Sequence, residues 1–302
     1  MEYRGEKPIK NRTQYIQERA VQITFFICAA VSIVAVFSIF FSLFAEGYPF
    51  ISNWFLNGFG MHWLPHAGQY GPTPLIINTL YAGVGCTIVA AIIGVPTAIY
   101  LAEFADNRLR NIIKPCLEIL TGFPSVIIGV VAVFTLTPAL FAGNLRGTGM
   151  FAVWIVVGIM SLPTVATISE DAIKAVPREL KEASLGLGAT RWQTMTRVII
   201  PAAMSGILAA IILGMGSAVG ETMAAFFVAG VVGIPGVTLN PFQSTALIPV
   251  AILRESASDA GVGGNMAPYF ALGFILFFIV GALNLAIRRL SKESLAASTK
   301  KG

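Results

Sequence analysis

Residues 181–201, KEASLGLGATRWQTMTRVIIP, form the most polar internal stretch of an otherwise apolar chain. They lie between two long apolar runs, at 150–169 and 200–232. Over the whole chain 56% of the residues are hydrophobic, 12% are charged and the mean hydropathy is +0.77. Soluble proteins carry about 25% charged residues, so this composition excludes a soluble globular domain. It makes the quoted stretch a polar linker between two membrane spans.

Six apolar runs are long enough to cross a membrane as helices, since a hydrocarbon core of about 30 Å needs about 20 residues. Lipid cannot satisfy the open edge of a sheet, and the runs lack the alternation of a membrane barrel. We therefore predict an all-α membrane protein with one domain at 23–290, a cytoplasmic segment at 1–22 and a cytoplasmic tail at 291–302. The predicted spans are 23–46, 75–101, 116–138, 150–169, 200–232 and 268–287. Residues 11–22 are interpreted as a short interfacial helix or a frayed tail.

The basic residues indicate which ends of the spans face the cytoplasm. With the N-terminus inside, eighteen of the 20 lysines and arginines fall in predicted cytoplasmic segments, and Arg146 and Arg254 are the two exceptions. Cytoplasmic loops are enriched in these residues, so both termini and the linker at about 174–200 are predicted to be cytoplasmic. The predicted location is a prokaryotic plasma (inner) membrane, in contact with lipid. The pI of 9.2 then follows from this topology and requires no nucleic-acid partner.

The linker itself predicts a pair of short helices lying across the membrane surface. Pro177 can start a helix at its first turn, and Gly186 and Gly188 end it before a second piece runs to Pro201. The first helix carries one polar and one apolar stripe, which suits docking into a groove of a partner protein. A helix resting on lipid headgroups is the alternative interpretation.

The linker resembles the EAA loop of ABC importer permeases, in which Glu-Ala-Ala is followed after three residues by Gly and after nine more by Ile-x-Leu-Pro. The matching residues here are Glu182-Ala183-Ser184, Gly188 and Val198-x-Ile200-Pro201, with the spacing intact. The resemblance implies the type I importer fold, also called MetI-like, and a coupling helix that seats in a cytosolic ATPase dimer. The ATPase-coupling residues that it implies are Glu182, Ala183, Ser184, Gly188 and Pro201. The sequence contains no Gly-x4-Gly-Lys-Ser/Thr motif, so ATP and Mg are expected on the partner ATPase and no cofactor is expected in this chain.

The chain as a whole is similar to permeases of the phosphate-specific transport system, in particular the C-type subunit. The similar segments are the outer loop at 55–81, GVPTAIYLAEFA at 94–105, EILTGFPSVIIG at 118–129 and GETMAAFFVAG at 220–230. The resemblance implies import of inorganic phosphate by alternating access. It also implies a second permease, expected to be the paralogous A-type subunit, and an extracytoplasmic phosphate-binding protein. Ser217 stands where the family has an arginine one turn before the glutamate of span five, so no role of that arginine transfers to this chain.

Three other functions compete with this interpretation. A permease for another oxyanion, namely molybdate, tungstate, sulfate or phosphonate, is the nearest alternative. A secondary transporter would normally have more spans, an internal repeat and several intramembrane charges. A channel would not explain a coupling-type loop.

Glu221 is predicted to lie inside the fifth span, roughly 18 Å along the helix from its outer end. A charge at that depth costs at least about 2.5 kcal/mol unless it is paired. Glu221, Thr222 and Ser217 are therefore candidates for the substrate path, and a protonated carboxyl that packs against a neighbouring helix is the alternative. Because phosphate and a carboxylate repel, we expect either an arginine of the second permease opposite Glu221 or a hydrogen bond from the P–OH group of hydrogen phosphate. Gly216 and Gly220 form a Gly-xxx-Gly pair on the same span, which permits close backbone approach but is common in packed spans generally.

Span three contains a predicted break, at Pro124 after Gly122. The helix that restarts there would present free N–H groups, together with the hydroxyls of Thr121 and Ser125, to an anion. A proline kink without ligand contact fits the sequence equally well.

The cysteines and histidines show no metal-site spacing. Cys28, Cys86 and Cys116 are scattered over the first three predicted spans and are interpreted as packing residues. His62 and His66 are interpreted as solvated residues of the first outer loop, not as metal ligands. No metal site is therefore predicted.

The outer segment at 238–267 is too polar at its end to span the membrane, but its middle is apolar. We predict a short re-entrant or surface helix at 245–256. Arg254 and Glu255 then either face the binding protein or form a solvated charge pair.

Overall fold

The computed structural model describes residues 12–140, 148–230, 236–260 and 265–299, and these residues are mostly helical. The helices are α1 (Arg12–Asn57), α2 (Thr73–Ile99), α3 (Asn107–Gly122), α4 (Ser125–Val131), α5 (Thr137–Leu140), α6 (Met150–Lys174), α7 (Arg178–Gly186), α8 (Arg191–Thr194), α9 (Ile200–Gly220), α10 (Met223–Val228), α11 (Ile248–Ala260) and α12 (Ala267–Thr299). Three π-helical turns, Tyr100–Phe104, Ala132–Leu136 and Met195–Ile199, continue α2, α4 and α8.

Five helical segments in the described ranges are long and apolar enough to cross a membrane. They are Glu18–Asn57, Thr73–Phe104, Met150–Lys174, Arg191–Gly220 and Ala267–Ala286. A sixth crossing exists if α3 and the segment Ser125–Leu136, which meet at 94°, are counted as one broken span. The predicted all-α membrane fold is thus confirmed, and the predicted runs at 75–101, 150–169 and 268–287 each coincide with a spanning helix.

The third predicted span, 116–138, is interrupted, as predicted, and its first part belongs to a longer helix. Residues 116–122 belong to α3, which begins at Asn107 and buries none of its side chains. Phe123 and Pro124 are extended, with ψ of 133° and 125°, because the proline ring excludes the α conformation at the residue before it. The break predicted at Pro124 is therefore present, and it turns the chain through a right angle.

The first helix is longer than the predicted span 23–46. It continues through Gly47 and Pro49 to Asn57. Glycine and proline are residue types that usually end helices. A Cβ at Gly47 would lie 2.7 Å from the backbone nitrogen of Ala271 in α12, so close packing between the two helices accompanies the continuation. Residues 12–22 extend the same helix and form neither a separate interfacial helix nor a frayed tail, and residues 1–11 lie outside the described ranges.

The centre of the bundle is the contact between α2 and α6, which α9 also joins. Small residues bring the two helices together: a Cβ at Gly85 would lie 2.1 Å from Nε1 of Trp154, and one at Gly158 would lie 2.8 Å from Cβ of Val89. Such positions allow spanning helices to approach closely. Around this contact lies a buried apolar cluster that extends to α10 and α11.

The first outer loop is ordered by a small hairpin that the sequence did not predict. Strand β1 (Trp63–Leu64) pairs antiparallel with β2 (Gln69–Tyr70), so that Trp63 faces Tyr70 across the ladder. Trp63 is 1% exposed and its ring contacts Tyr269 of α12. His62 is exposed, as predicted, whereas the side chain of His66 is outside the described part of the structure.

The outer segment is fastened to α2 by two buried polar side chains. Asn78 accepts a hydrogen bond from Thr238 N–H at 2.9 Å and donates to the Ala246 carbonyl at 3.3 Å. Thr79 Oγ1 accepts from Ile248 N–H at 2.9 Å, at the point where α11 begins. The helix predicted at 245–256 is therefore shifted and runs over Ile248–Ala260, with Arg254 exposed and the side chain of Glu255 outside the description.

Candidate functional site

The polar linker folds into an elbow of two helices. Helix α7 ends at Gly186, and Gly188 adopts φ +85° in the turn that follows, a conformation that residues with a side chain rarely adopt. Helix α8 then starts with a capping box, in which Thr190 Oγ1 accepts from Gln193 N–H and Gln193 Oε1 accepts from Thr190 N–H. Local capping thus sets where the second helix begins.

The second half of the elbow differs from the prediction, because no helix ends at Pro201. Helix α8, the π turn Met195–Ile199 and α9 form one apolar segment, Arg191–Gly220. Pro201 lies in the first turn of α9, where its missing N–H costs least. The π turn precedes it, with Ile200 N–H bonded to the Met195 carbonyl five residues back. The elbow is therefore continuous with the spanning helix that follows it.

Among the described residues, two polar side-chain contacts attach α7 to its neighbours. Ser184 Oγ lies 2.9 Å from Thr194 Oγ1 on α8. Lys181 forms an ion pair with Glu103, which lies in the π turn at the end of α2. A displacement of α7 would therefore act on α2 and, through α8, on α9.

The other side of the elbow is apolar and exposed. The exposed fractions are 45% for Leu180, 90% for Leu187 and 64% for Trp192. Glu182 and Ala183 are also exposed. Large apolar side chains that remain outside the molecule next to charges are typical of a protein contact surface.

Glu170 is a buried carboxylate that the sequence analysis missed. It is 1% exposed; Lys114 Nζ lies 3.2 Å from its Oε2, and Lys174 pairs with its Oε1. The pairing joins α3 to α6 just before the elbow. The i, i+4 spacing of Glu170 and Lys174 was visible in the sequence, but nothing in the sequence indicated that Lys114 shares the carboxylate.

Span five, predicted as one helix at 200–232, is broken at Glu221, and residues 231–232 lie outside the described ranges. Helix α9 ends at Gly220, Glu221 is extended with ψ 118°, and α10 restarts at Met223. Glu221 Oε1 accepts the backbone N–H of Ala224 at 3.2 Å, so the carboxylate satisfies a free N–H group of the restarted helix. The half-buried Glu221 thus lies at a helix break and not in the middle of a continuous span.

The parts of spans three and five that follow their breaks pack against each other. Helices α4 and α10 are in contact, and a Cβ at Gly129 would lie 2.9 Å from Cδ2 of Phe227 and 3.0 Å from Cα of Ala224. The structure therefore brings together two helices that each start at an interruption. Non-helical backbone inside a membrane occurs where it is buried in protein or lines a cavity.

The remaining predicted path residues are placed as follows. Thr121 and Ser217 are exposed, and Ser125 and Thr222 are half-buried. The hydroxyls of Thr121 and Thr222 donate to nearby backbone carbonyls, at 2.7 Å and 3.1 Å. No side-chain hydrogen bond joins Thr121 or Ser125 to Glu221 in the described structure. The close approach that Gly216 and Gly220 permit is not made with any described residue, since a Cβ at either would meet no described atom within 4 Å.

Metal-ligating residue types do not cluster in the described ranges, where no three His, Cys, Asp or Glu side chains could hold one ion. Cys86 is buried, with Sγ 3.5 Å from the Val153 carbonyl, as expected for a packing residue. Cys28 and Cys116 are exposed instead.

Comparison with known proteins assigns the fold and the family. The family described as "Binding-protein-dependent transport system inner membrane component" matches residues 94–293. The chain belongs to this family. The fold is also that of an inward-facing MetNI methionine ABC transporter chain, with a TM-score of 0.59 at 19% identity, covering 77% of this chain and 99% of that one. A chain of a bacterial ABC transporter involved in alginate import gives a TM-score of 0.53 at 14% identity, covering 92% and 98%.

Several relatives are similar over most of their length. A probable ABC transporter permease of Bacillus subtilis, YqgH, is 30% identical over 277 residues, which is 88% of each chain. The phosphate transport system permease protein PstC of Pasteurella multocida is 32% identical and covers 88% of this chain and 86% of its own. The PstC protein of Mesorhizobium japonicum is 31% identical, with 82% and 81% covered. This binding-protein-dependent transport permease is thus a multi-pass inner-membrane subunit with the fold of an ABC importer permease.

Proposed function

We propose that this permease is one of two membrane-spanning subunits of an ATP-driven importer of inorganic phosphate. The assignment of phosphate as the substrate rests on the match over 88% of the chain to a protein named as a phosphate transport permease. A paralogous A-type permease completes the path, an extracytoplasmic phosphate-binding protein delivers the anion, and a cytosolic ATPase dimer supplies the energy. The chain breaks no bond itself, and ATP with Mg is bound by the ATPase.

The elbow is the part of the chain that transmits the energy. Its exposed apolar side, with Leu187 and Trp192 at the end, fits the helix-in-groove contact through which a partner can grip a helix. The contacts of α7 with Glu103 and Thr194 carry its movement to α2 and α9. ATP binding would draw two such elbows together and open the path outward. Glu182, Ala183, Ser184, Gly188 and Pro201 remain the proposed coupling residues.

The orientation follows from the same element. The ATPase is cytosolic, so the elbow faces the cytoplasm, and an even number of crossings then places both termini on that side. The excess of lysine and arginine in these segments supports this arrangement. The hairpin and the start of α11 consequently face the binding protein.

The anion path runs past the two helix breaks. At the second break, Glu221 uses one carboxylate oxygen to cap α10, which leaves the other oxygen able to accept the P–OH hydrogen bond of hydrogen phosphate. Sulfate has no such proton near neutral pH, so this contact would favour phosphate. An arginine of the second permease would neutralise Glu221 while the path is empty. Thr121, Ser125, Ser217 and Thr222 are further proposed path residues.

The test is uptake of phosphate into vesicles that contain the reconstituted complex with its binding protein and ATP. Glu221→Gln is the informative variant, because the glutamine carbonyl can still accept the Ala224 N–H bond while the charge is lost. We expect lower phosphate uptake or weaker discrimination against sulfate, and unchanged uptake in the control Glu118→Gln, an exposed position on α3. Uptake without ATP, or no phosphate uptake by the wild-type complex, would refute the proposed function. Normal transport and selectivity in Glu221→Gln would refute the role of Glu221 alone.

A further inference from the structure

A polar cleft of about 520 Å³ opens between α7 and the ends of α2, α3 and α6. Small-molecule sites typically have about 300–1,000 Å³, so the cleft has room for a ligand larger than a bare ion. The charged residues in its wall are Arg110, Lys174, Arg178, Lys181, Glu103 and Glu182. The four basic residues exceed the two acidic ones, and the wall carries an excess of positive charge.

Two of the four basic residues in the wall form ion pairs with described carboxylates, and the two arginines do not. Lys181 is paired with Glu103, and Lys174 shares Glu170 with Lys114. The guanidinium of Arg178 has no ion pair or hydrogen bond with any residue that the structure describes. The cleft therefore presents a free guanidinium.

Arg110 of α3 adds a second guanidinium to the wall. Its Nη2 donates to the Leu101 carbonyl, which fixes the group in place, and its Nε is buried without a hydrogen-bond partner in the described ranges. Neither nitrogen faces a carboxylate of a described residue. The two arginines thus supply positive charge from α3 and from α7, and the Leu101 carbonyl holds that of Arg110 in place.

The cleft and the exposed apolar side of the elbow are different faces of α7. Arg178, Lys181, Glu182 and Leu185 line the cleft, and their i, i+3, i+4, i+7 spacing places them on one side of the helix. Leu187, at the exposed end, is not part of the wall. A ligand in the cleft would therefore leave Leu187 accessible to the ATPase, while Glu182, a proposed coupling residue, lies in the wall of the cleft.

We propose that this cleft binds the phosphate group of an anionic ligand, supplied either by a soluble phosphate compound or by the headgroup of an anionic phospholipid. Guanidinium groups bind phosphate oxygens through paired, charge-assisted hydrogen bonds. Basic pockets between spanning helices at the cytoplasmic surface bind anionic headgroups. A bound phosphate would contact α7 and the body of the permease together and so hold the elbow in place. The inference rests on the proposed function only for the cytoplasmic position of α7.

The experiment compares Arg178→Gln with Arg108→Gln in the purified complex of both permeases and the ATPase. Arg178 is exposed and makes no described contact, so its substitution should not disturb folding, and Arg108 is an exposed arginine on α3 outside the wall. One arm measures equilibrium binding of radiolabelled inorganic phosphate in detergent. The other counts retained phosphatidylglycerol by native mass spectrometry, after release from nanodiscs that also contain phosphatidylcholine. We expect Arg178→Gln to weaken binding about tenfold in one arm, the effect of one lost charge-assisted hydrogen bond, and Arg108→Gln to leave it unchanged.

The two arms separate the sources, since a loss confined to phosphate indicates a soluble ligand and a loss confined to phosphatidylglycerol indicates a lipid. Equal binding by Arg178→Gln and Arg108→Gln in both arms would overturn the proposal. Phosphate binding that falls in Glu221→Gln and not in Arg178→Gln would also overturn it, while supporting the proposed path. Binding that depends on Arg178 in a complex that does not transport phosphate would uphold the cleft and refute the proposed function.

Discussion

Replacing Glu170 by glutamine should release α3 from α6. Glu170 is 1% exposed and is the shared partner of Lys114 on α3 and Lys174 on α6. Helix α3 has no fully buried side chain, so the shared carboxylate and the Arg110–Leu101 hydrogen bond are its polar ties to the rest of the described structure. Glutamine has nearly the same shape as glutamate, and the substitution therefore changes mainly the charge.

The size of the effect follows from the exposure of the two lysines. Removing one partner of a fully buried ion pair costs about 3–5 kcal/mol, because the remaining charge is trapped without a partner. The side chains of Lys114 and Lys174 are 35% and 36% exposed, so both ammonium groups can turn towards water. We therefore expect a smaller loss of roughly 1–2 kcal/mol, which changes an opening equilibrium by a factor of about 5–30.

Hydrogen exchange of the purified complex measures this opening. The amides of Asn107–Gly122 should exchange about 5–30 times faster in Glu170→Gln, at a rate set by the opening equilibrium. The control is Asp171→Asn, an exposed neighbour with no side-chain partner in the described structure. Equal exchange of α3 in the two variants would refute the conclusion that the shared carboxylate holds it.

Three further substitutions test the elbow and the helix breaks. Gly188→Ala should lower the unfolding temperature and the amount of ATPase that co-purifies, since φ +85° costs a residue with a Cβ about 1–2 kcal/mol. The control is Gly186→Ala, where a Cβ would meet open space and φ is ordinary, and it should lower neither quantity. Leu187→Asp, at a side chain 90% exposed, should reduce co-purification of the ATPase without changing the unfolding temperature, and full retention would contradict the docking surface. Gly129→Val should destabilise the protein by about 1–3 kcal/mol in thermal unfolding and reduce uptake, because α10 leaves no room for the side chain. Gly122→Ala, which meets no described atom, is its control, and equal stability of the two would contradict the packing of α4 on α10.

The sequence predicted those features that depend on local composition. Apolar runs indicated the spans at 75–101, 150–169 and 268–287, because the thickness of a bilayer imposes a minimum length on any crossing helix. Pro124 predicted a break in span three, since a proline constrains its own φ and the residue before it. The spacing of Glu182, Gly188 and Pro201 indicated the family, and the matches over most of the chain confirmed that assignment.

The errors arose where local signals met long-range contacts. The apolar run at 23–46 indicated the first span, but α1 continues through Gly47 and Pro49, where it packs against α12. The apolar run at 200–232 indicated a continuous helix, yet the helix is interrupted at Glu221. The carboxylate of that residue accepts the N–H group of Ala224 at the start of the part that follows. The arginine that the second permease is expected to place opposite Glu221 stays a prediction, since it belongs to a partner chain.

The sequence by itself determined that this chain crosses a membrane as helices, where its polar elbow lies and, through that elbow, its family, because each of these follows from residues close together in the chain. The tertiary structure alone decided which polar groups from distant segments meet. Lys181 pairs with Glu103 across 78 positions and Asn78 bonds Ala246 across 168, and Lys114 of α3 pairs with Glu170 of α6. Such pairs, and the basic cleft beside them, depend on how the helices pack together, which no periodicity or spacing along a single segment encodes.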